Sequence, residues 1–330
     1  MALDSEKAAE PRRRKSILRR VGVGLGAFLA VLVLAVIALY AWPLGSDRLE
    51  DAQTRTLSFE EAGQEAAGLV EADNGNAQVR VECRSQALVH PEKTAKAVLM
   101  LHGYTSCPKD YVEMAQLFYD RGYNVYVPRE PHHGLQNVAT SSDVGAIGLV
   151  EYADESMDVV AGLGEEVGVI GMSGGGVLAT WLAENRTDSV SHLLALSPFY
   201  QPDSSQAPPL VLKPLTVLFG YRVLPDRNVG DTNFTLSGLG QYLRIVANLE
   251  EEPKNPELRS VAVAWSAEDP YIDQGEAVER PDNLADANGL KLATHEFGPE
   301  RNLPHNIVAA QELGDRAEET YELYLDLYEG

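Results

Sequence analysis

The strongest constraint in the sequence is an uncharged run of 21 residues at 21–41, VGVGLGAFLAVLVLAVIALYA. As a helix, such a run spans roughly 31 Å, about the thickness of one bilayer hydrocarbon core. Tyr40 and Trp42 stand at its far end, where aromatic side chains commonly lie at the membrane interface, and Pro43 ends the helix. The run therefore predicts a transmembrane anchor over residues 21–43.

The charges that flank this run predict its direction. Residues 1–20 carry seven Lys or Arg and three Asp or Glu. The positive-inside rule places this tail in the cytoplasm and the rest of the chain outside, as a single-pass protein of the cell membrane. A cleaved signal peptide is the alternative, but its apolar region is usually about 7–15 residues long, and Leu39-Tyr40-Ala41 is a poor cleavage site.

The rest of the chain is strongly acidic. The whole sequence has 27 Lys or Arg against 49 Asp or Glu, a formal net charge of −22. Such a surface repels phosphate backbones, so nucleic acid is not an expected partner. Residues 44–78 are acidic and weakly patterned, and we interpret them as a stalk.

Beyond residue 78, short apolar runs alternate with segments of helical periodicity. This alternation predicts an α/β fold, a mostly parallel doubly wound sheet with helices on both faces. The pattern breaks over about 199–258, which is too long for a plain connection and predicts a helical cap insertion. Strands are predicted at 97–101, 125–127, 167–170, 192–196, 261–265 and 292–297, and helices at 110–121, 150–163, 174–184, 236–249 and 306–328.

One motif at a strand-to-helix junction points to nucleophilic catalysis. Gly171-Met172-Ser173-Gly174-Gly175 fits G-x-S-x-G, follows a predicted strand and begins a predicted helix, as a nucleophile elbow requires. The helix N-terminus supplies unpaired N–H groups that favour a developing oxyanion. The alternative is a glycine-rich turn in which Ser173 only caps the helix.

A second turn is predicted to complete an oxyanion hole. Leu101-His102-Gly103-Tyr104 ends the first buried strand, and the backbone N–H of Tyr104 is expected to act with that of Gly174. His102 is expected to hold the loop by hydrogen bonds rather than to transfer protons.

A serine nucleophile needs a base, and the base needs an orienting carboxylate. Asp269 follows a predicted strand and is the expected acid, with Glu268 as its competitor. His305 lies between the last strand and the last helix and is the expected base, whereas His295 falls inside that strand. The order Ser173, Asp269, His305 is the one expected on a doubly wound hydrolase sheet.

The remaining candidates are two histidines and two cysteines. His132 and His133 are adjacent on a loop without further ligands nearby, so we expect a structural turn and no metal or cofactor. Cys83 and Cys107 both follow the predicted anchor, where disulfides can persist. A disulfide and two buried free thiols both remain open.

These motifs resemble those of the α/β-hydrolase superfamily, in particular bacterial carboxylesterases and monoacylglycerol-lipase-like serine hydrolases. LHGYTSCPKDYVEMAQLFYDRGYNVYVPREPHHG resembles their first turn, helix and second strand, GMSGGG the elbow, AEDPYID the acid loop and LPHNIV the histidine loop. The resemblance covers about 79–329 and is weakest in 199–258. It implies an α/β-hydrolase domain at 79–330 with Ser173 as nucleophile, Asp269 as acid, His305 as base and the Tyr104 and Gly174 backbones as oxyanion hole.

Two departures accompany the resemblance. The usual Gly-His-Gly turn is His132-His133-Gly134, and the usual Ser-Met-Gly-Gly elbow is Ser173-Gly174-Gly175-Gly176, which we expect to make the helix start more flexible. The sequence as a whole predicts a membrane-anchored serine hydrolase that cleaves small ester or lipid-like substrates. A thioesterase, a peptidase and a catalytically silent binding module of the same fold are the alternatives.

Overall fold

The computed structural model describes residues 9–229 and 234–330. The first eight residues, which belong to the predicted cytoplasmic tail, lie outside the described residues. The chain divides into two compact units, residues 1–43 and residues 44–330. In the first unit, helix α1 spans Ala9–Ala41. Its segment Arg19–Ala41 includes an 18-residue stretch with a mean hydropathy of 2.8 and is long and apolar enough to cross a membrane, a test that an N-terminal signal sequence also passes.

The second unit is built on a seven-stranded sheet in the order β1-β3-β2-β4-β5-β6-β7. β1 pairs antiparallel with β3, and all other pairs are parallel. Every residue of β3, β5 and β6 is buried, as expected for strands covered on both faces. The strands are β1 Gln86–Leu88, β2 Thr94–Leu101, β3 Tyr123–Val127, β4 Gly164–Met172, β5 Val190–Leu196, β6 Ser260–Ser266 and β7 Ala293–Phe297.

Helices cover the sheet on both faces. α3 and α10 pack together on one face, while α2, α4 and α5 form the apolar layer on the other. The predicted α/β-hydrolase fold is thereby confirmed. The helices are α2 Phe59–Gly75, α3 Val112–Asp120, α4 Ala146–Leu163, α5 Gly174–Asn185, α6 Pro209–Leu215, α7 Leu236–Val246, α8 Gln274–Ala287, α9 Ala310–Leu313 and α10 Ala317–Glu329.

Residues 44–78 differ from the predicted stalk, because they fold onto the domain. Leu49 is fully buried, and its carbonyl accepts a 2.6 Å hydrogen bond from Trp181 Nε1. In α2, Ala62 and Ala66 are buried, and α2 packs against α4 at Gly162, where an added Cβ would lie 2.6 Å from Ala62 Cβ. The apolar stripe of α2 consists of small residues among acids, so it is too narrow to stand out in the sequence.

The helices near the C-terminus depart from the prediction. The predicted helix 306–328 is broken into α9 and α10 at Gly314, whose φ is +59°. α8 was not predicted, since Pro281 and several acids obscure its periodicity. Residues 199–258, hereafter the insertion, contain α6, a π-helical turn at Thr216–Gly220, and α7. The limits of the cap stay a prediction.

Candidate active site

Ser173 occupies a tight turn between β4 and α5. Its φ is +56°, a conformation that L-residues rarely adopt, and its N–H donates to the Leu196 carbonyl at 2.9 Å. The flanking glycines are required by close approach: a Cβ on Gly171 would lie 2.1 Å from the Gly175 carbonyl oxygen, and one on Gly175 would lie 2.1 Å from the Leu101 carbonyl oxygen. The glycines of the elbow therefore let α5 contact the sheet closely, and the flexible helix start expected above stays a prediction.

The loops after β6 and β7 bring Asp269 and His305 to this turn. His305 Nδ1–H donates to Asp269 Oδ2 at 2.6 Å, and Ser173 Oγ–H donates to His305 Nε2 at 2.8 Å. Asp269 is 5% exposed, and its Oδ1 accepts the Tyr271 N–H at 2.9 Å. A buried carboxylate that holds the imidazole in this tautomer leaves Nε2 free to accept a proton from the serine.

Glu268 and His295, the alternatives for the acid and the base, are not members of this hydrogen-bond chain. Glu268 is exposed, and its neighbour Asp269 bonds the histidine. His295 is a residue of β7, where it pairs in register with Ala264 and packs edge-on against Phe297.

The turn after β2 passes directly beside Ser173. A Cβ built on Gly103 would lie 3.1 Å from Ser173 Cβ. Gly174 is the first residue of α5, so its N–H has no carbonyl partner in the preceding turn of that helix. Tyr104, Gly174, Ser173 and His305 line one cavity of about 510 Å³.

His102 is part of the framework of this turn. It is 1% exposed, its Nδ1–H donates to the Gly103 carbonyl at 3.0 Å, and its Nε2 accepts the Glu130 N–H at 3.0 Å. Burial lowers the pKa of His102 to about 3, so the ring is neutral and stays in this tautomer. These contacts agree with the structural role predicted for it.

The cavity has apolar and polar walls. Its apolar wall consists of residues of the insertion, namely Phe199, Pro202, Val229, Phe234 and Leu239. Polar and charged side chains line other parts, namely Arg80, Ser106, Ser141, Gln206, Asn306 and Glu312. Such a mixture suits an ester that has both an apolar and a polar end.

The histidine pair and the cysteines lie around the same turn. His133 is buried, and its Nδ1–H donates to the Pro131 carbonyl at 2.9 Å. Among residues 9–229 and 234–330, no group of three His, Cys, Asp or Glu side chains is placed to hold a metal ion. Cys83 and Cys107 form a disulfide that ties the loop after Tyr104 to the 3₁₀ turn at Val81–Cys83.

Sequence reasoning missed Tyr242 and Glu130. Tyr242 lies on α7, lines the cavity, and donates its hydroxyl to Glu130 Oε1 at 2.5 Å. Burial raises the pKa of both side chains, which keeps the phenol protonated. No motif marks Tyr242. The one sequence signal for Glu130 is its position, as an acid shortly after the predicted strand at 125–127.

The comparisons with known proteins agree with this geometry. Residues 98–285, more than half of the chain, match the model of the alpha/beta hydrolase family. No curated protein matches the sequence. The solved structures of similar fold include the following three, all at low sequence identity.

The first of the three belongs to the metagenome-derived lipolytic enzymes LipS and LipT (19% identity, TM-score 0.53, 76% of this chain and 98% of that one). The second is a monoacylglycerol lipase from Paleococcus ferrophilus (17%, 0.52, 73% and 96%). The third is a soluble variant of the Saccharomyces cerevisiae monoglyceride lipase with a substrate analogue (10%, 0.51, 74% and 90%). Together with the family match, the sheet order and the strand-to-helix elbow identify this chain as a member of the alpha/beta hydrolase family.

Proposed function

We propose that the protein is a serine hydrolase that cleaves carboxylic esters through Ser173, His305 and Asp269. The observation that carries the proposal is the unbroken hydrogen-bond chain from Asp269 Oδ2 to His305 (2.6 Å) and from His305 Nε2 to Ser173 Oγ (2.8 Å). This arrangement matches the requirement for a nucleophile, a base and an orienting carboxylate.

The mechanism follows from these contacts. Ser173 Oγ attacks the ester carbonyl as His305 Nε2 takes its proton, and Asp269 stabilises the imidazolium that forms. The N–H groups of Tyr104 and Gly174 hold the oxyanion of the tetrahedral intermediate. His305 then protonates the leaving alcohol, and an acyl-enzyme remains on Ser173. Water, activated by His305, attacks the acyl-enzyme and releases the acid.

The substrate class rests on the cavity and on the relatives. The apolar side chains of the insertion suit an acyl chain, and the three similar structures are lipolytic enzymes by their names. Likeness in fold does not by itself assign a substrate, so the apolar wall of the cavity is the main support for an acyl ester.

The test is labelling by a fluorophosphonate probe followed by hydrolysis of p-nitrophenyl esters of rising acyl length. We expect the probe to modify Ser173, and both labelling and hydrolysis to vanish in Ser173→Ala. Faster cleavage of a matched thioester or peptide amide than of the ester would assign a thioesterase or a peptidase instead. A folded wild-type protein that neither reacts with the probe nor cleaves any of these substrates would indicate a silent binding module.

We further propose that Arg19–Ala41 anchors the protein in the cell membrane, with the N-terminus in the cytoplasm and the hydrolase domain outside. The length and apolar character of this helix support the anchor. Carbonate extraction should leave the full chain in the membrane pellet, and protease added to intact cells should cleave the domain. Release of a mature protein that lacks residues 1–41 would show a signal peptide instead.

A further inference from the structure

Helix α7 of the insertion contacts Tyr104, the first residue of the proposed oxyanion hole. The Tyr104 hydroxyl lies at the N-terminus of α7, where it accepts the Thr235 N–H at 3.4 Å. A Cβ built on Gly238 would lie 1.9 Å from the Tyr104 hydroxyl oxygen. A side chain at position 238 would overlap the Tyr104 ring, so glycine is required there. The Tyr104 side chain therefore packs directly on the backbone of α7.

One turn further along α7, Tyr242 contacts Gly174, the second residue of the proposed hole. A Cβ built on Gly174 would lie 2.6 Å from Tyr242 Cε1, so the ring packs directly on the Gly174 backbone. The rings of Tyr242 and Tyr104 also meet edge-on, with their centroids 5.6 Å apart. Because residues four apart lie on the same face of a helix, Gly238 and Tyr242 support the two donors from one side.

Tyr242 is itself held in place by a chain of hydrogen bonds. It is fully buried, and its hydroxyl donates to Glu130 Oε1 at 2.5 Å. The Glu130 N–H donates to His102 Nε2 at 3.0 Å, and His102 Nδ1–H donates to the Gly103 carbonyl at 3.0 Å. The chain therefore returns to the turn that carries Tyr104.

We propose that Tyr242 is a positioning residue that holds the backbone N–H groups of Gly174 and Tyr104 in the geometry of the oxyanion hole. Preorganised donors stabilise the transition state only while they stay close to the position of the developing oxyanion. The insertion thus supports catalysis as well as lining the cavity. This inference rests on the proposed serine hydrolase function.

The test is Tyr242→Phe in the full-length protein, which keeps the ring but removes its anchor on Glu130. We expect kcat for a p-nitrophenyl ester to fall roughly tenfold while KM stays within about twofold, because the loss falls on the transition state. The Ki of a trifluoromethyl ketone, which mimics the tetrahedral adduct, should rise by the same factor. Tyr123→Phe is the matched control, since Tyr123 is also buried and donates to a glutamate, Glu329, at 2.7 Å.

If the unpaired Glu130 carboxylate prevents folding, the double variant Glu130→Gln/Tyr242→Phe replaces the single one. Gly238→Ala tests the same support from the Tyr104 side, and we expect a similar loss in kcat. Gly148→Ala in α4 is its control, since an added Cβ there meets nothing within 4 Å.

An unchanged kcat and Ki in Tyr242→Phe and Gly238→Ala, with hydrolysis abolished by Ser173→Ala, would overturn the inference and leave the proposed function standing. Hydrolysis that survives Ser173→Ala would instead overturn the proposed function.

Discussion

The central sheet carries a serine, a histidine and an acid in contact at each end of its parallel strands, and the two trios differ in their surroundings. We call these two ends the carboxyl edge and the amino edge. At the carboxyl edge these are Ser173, His305 and Asp269. At the amino edge, His192 Nδ1 lies 2.7 Å from Ser260 Oγ and His192 Nε2 lies 2.9 Å from Glu166 Oε1. The residue types and distances are nearly the same at both edges.

The surroundings of the two serines make the difference. Ser260 begins a strand, and its hydroxyl donates to the Tyr328 carbonyl at 2.5 Å, so its proton is not directed to the histidine. Ser173 precedes a helix in a strained turn, faces a cavity and donates to His305. A hydrogen-bonded trio becomes a hydrolase site only where a helix N-terminus, free N–H groups and room for a substrate accompany it.

Removal of each serine in turn should give the largest difference between the two edges. Ser173→Ala should lower kcat for ester hydrolysis by about 10⁶-fold, because the nucleophile is lost. Ser260→Ala should leave kcat within about twofold, since its hydroxyl only bonds within the amino edge. Steady-state kinetics on both purified variants checks this, and a large loss of kcat in folded Ser260→Ala would contradict the assignment.

The acids provide a second, slightly smaller contrast. Asp269→Asn should lower kcat by about 10⁴-fold, because the amide no longer favours the tautomer of His305 that accepts the serine proton. Glu166→Gln at the amino edge and Glu268→Gln beside Asp269 should each change kcat by less than about threefold. The same kinetic assay checks all three variants. A greater loss in Glu268→Gln than in Asp269→Asn would move the role to Glu268.

Buried histidines at the two edges should also differ in their effect on acid stability. The pKa of His102 is lowered to about 3 by burial, whereas an unfolded histidine titrates near pH 6.5. Between these values the unfolded chain binds a proton that the folded chain does not, so the free energy of unfolding falls as the pH drops, by about 1.4 kcal/mol per unit from this group.

His102→Asn should flatten the dependence of stability on pH by that slope, because asparagine does not titrate between pH 7 and pH 4. Its side-chain oxygen can still accept the Glu130 N–H, so the hydrogen bond of the folded state is kept. Burial also lowers the pKa of His192, while a hydrogen bond to the Tyr328 backbone and, to a smaller extent, the Glu329 carboxylate oppose the shift, so His192→Asn should flatten the pH dependence less. Urea denaturation at several pH values between 7 and 4 measures both. Equal slopes for wild type and His102→Asn would contradict a neutral His102 in the folded domain.

The parts of the structure that the sequence predicts well depend on local patterns. The strand before Ser173 and the helix after it follow from a continuous apolar run and a glycine-rich turn, and both occur where predicted. The folding of residues 44–78 onto the domain was not predictable in this way. Ala62 and Ala66 have little apolar area of their own, and their burial depends on Gly162, about 100 residues away in the sequence.

The fold class, the strand-to-helix elbow and the candidates Ser173, Asp269 and His305 can all be read from the sequence, because period, turn chemistry and residue type are local properties. The packed structure brings these three side chains into contact, and it leaves the similar trio at the other edge outside the cavity that Ser173 faces. It also decided that α7 packs on Tyr104 and Gly174. Each of these facts depends on distances between residues far apart in the chain, and those distances exist only after the sheet and the insertion have packed.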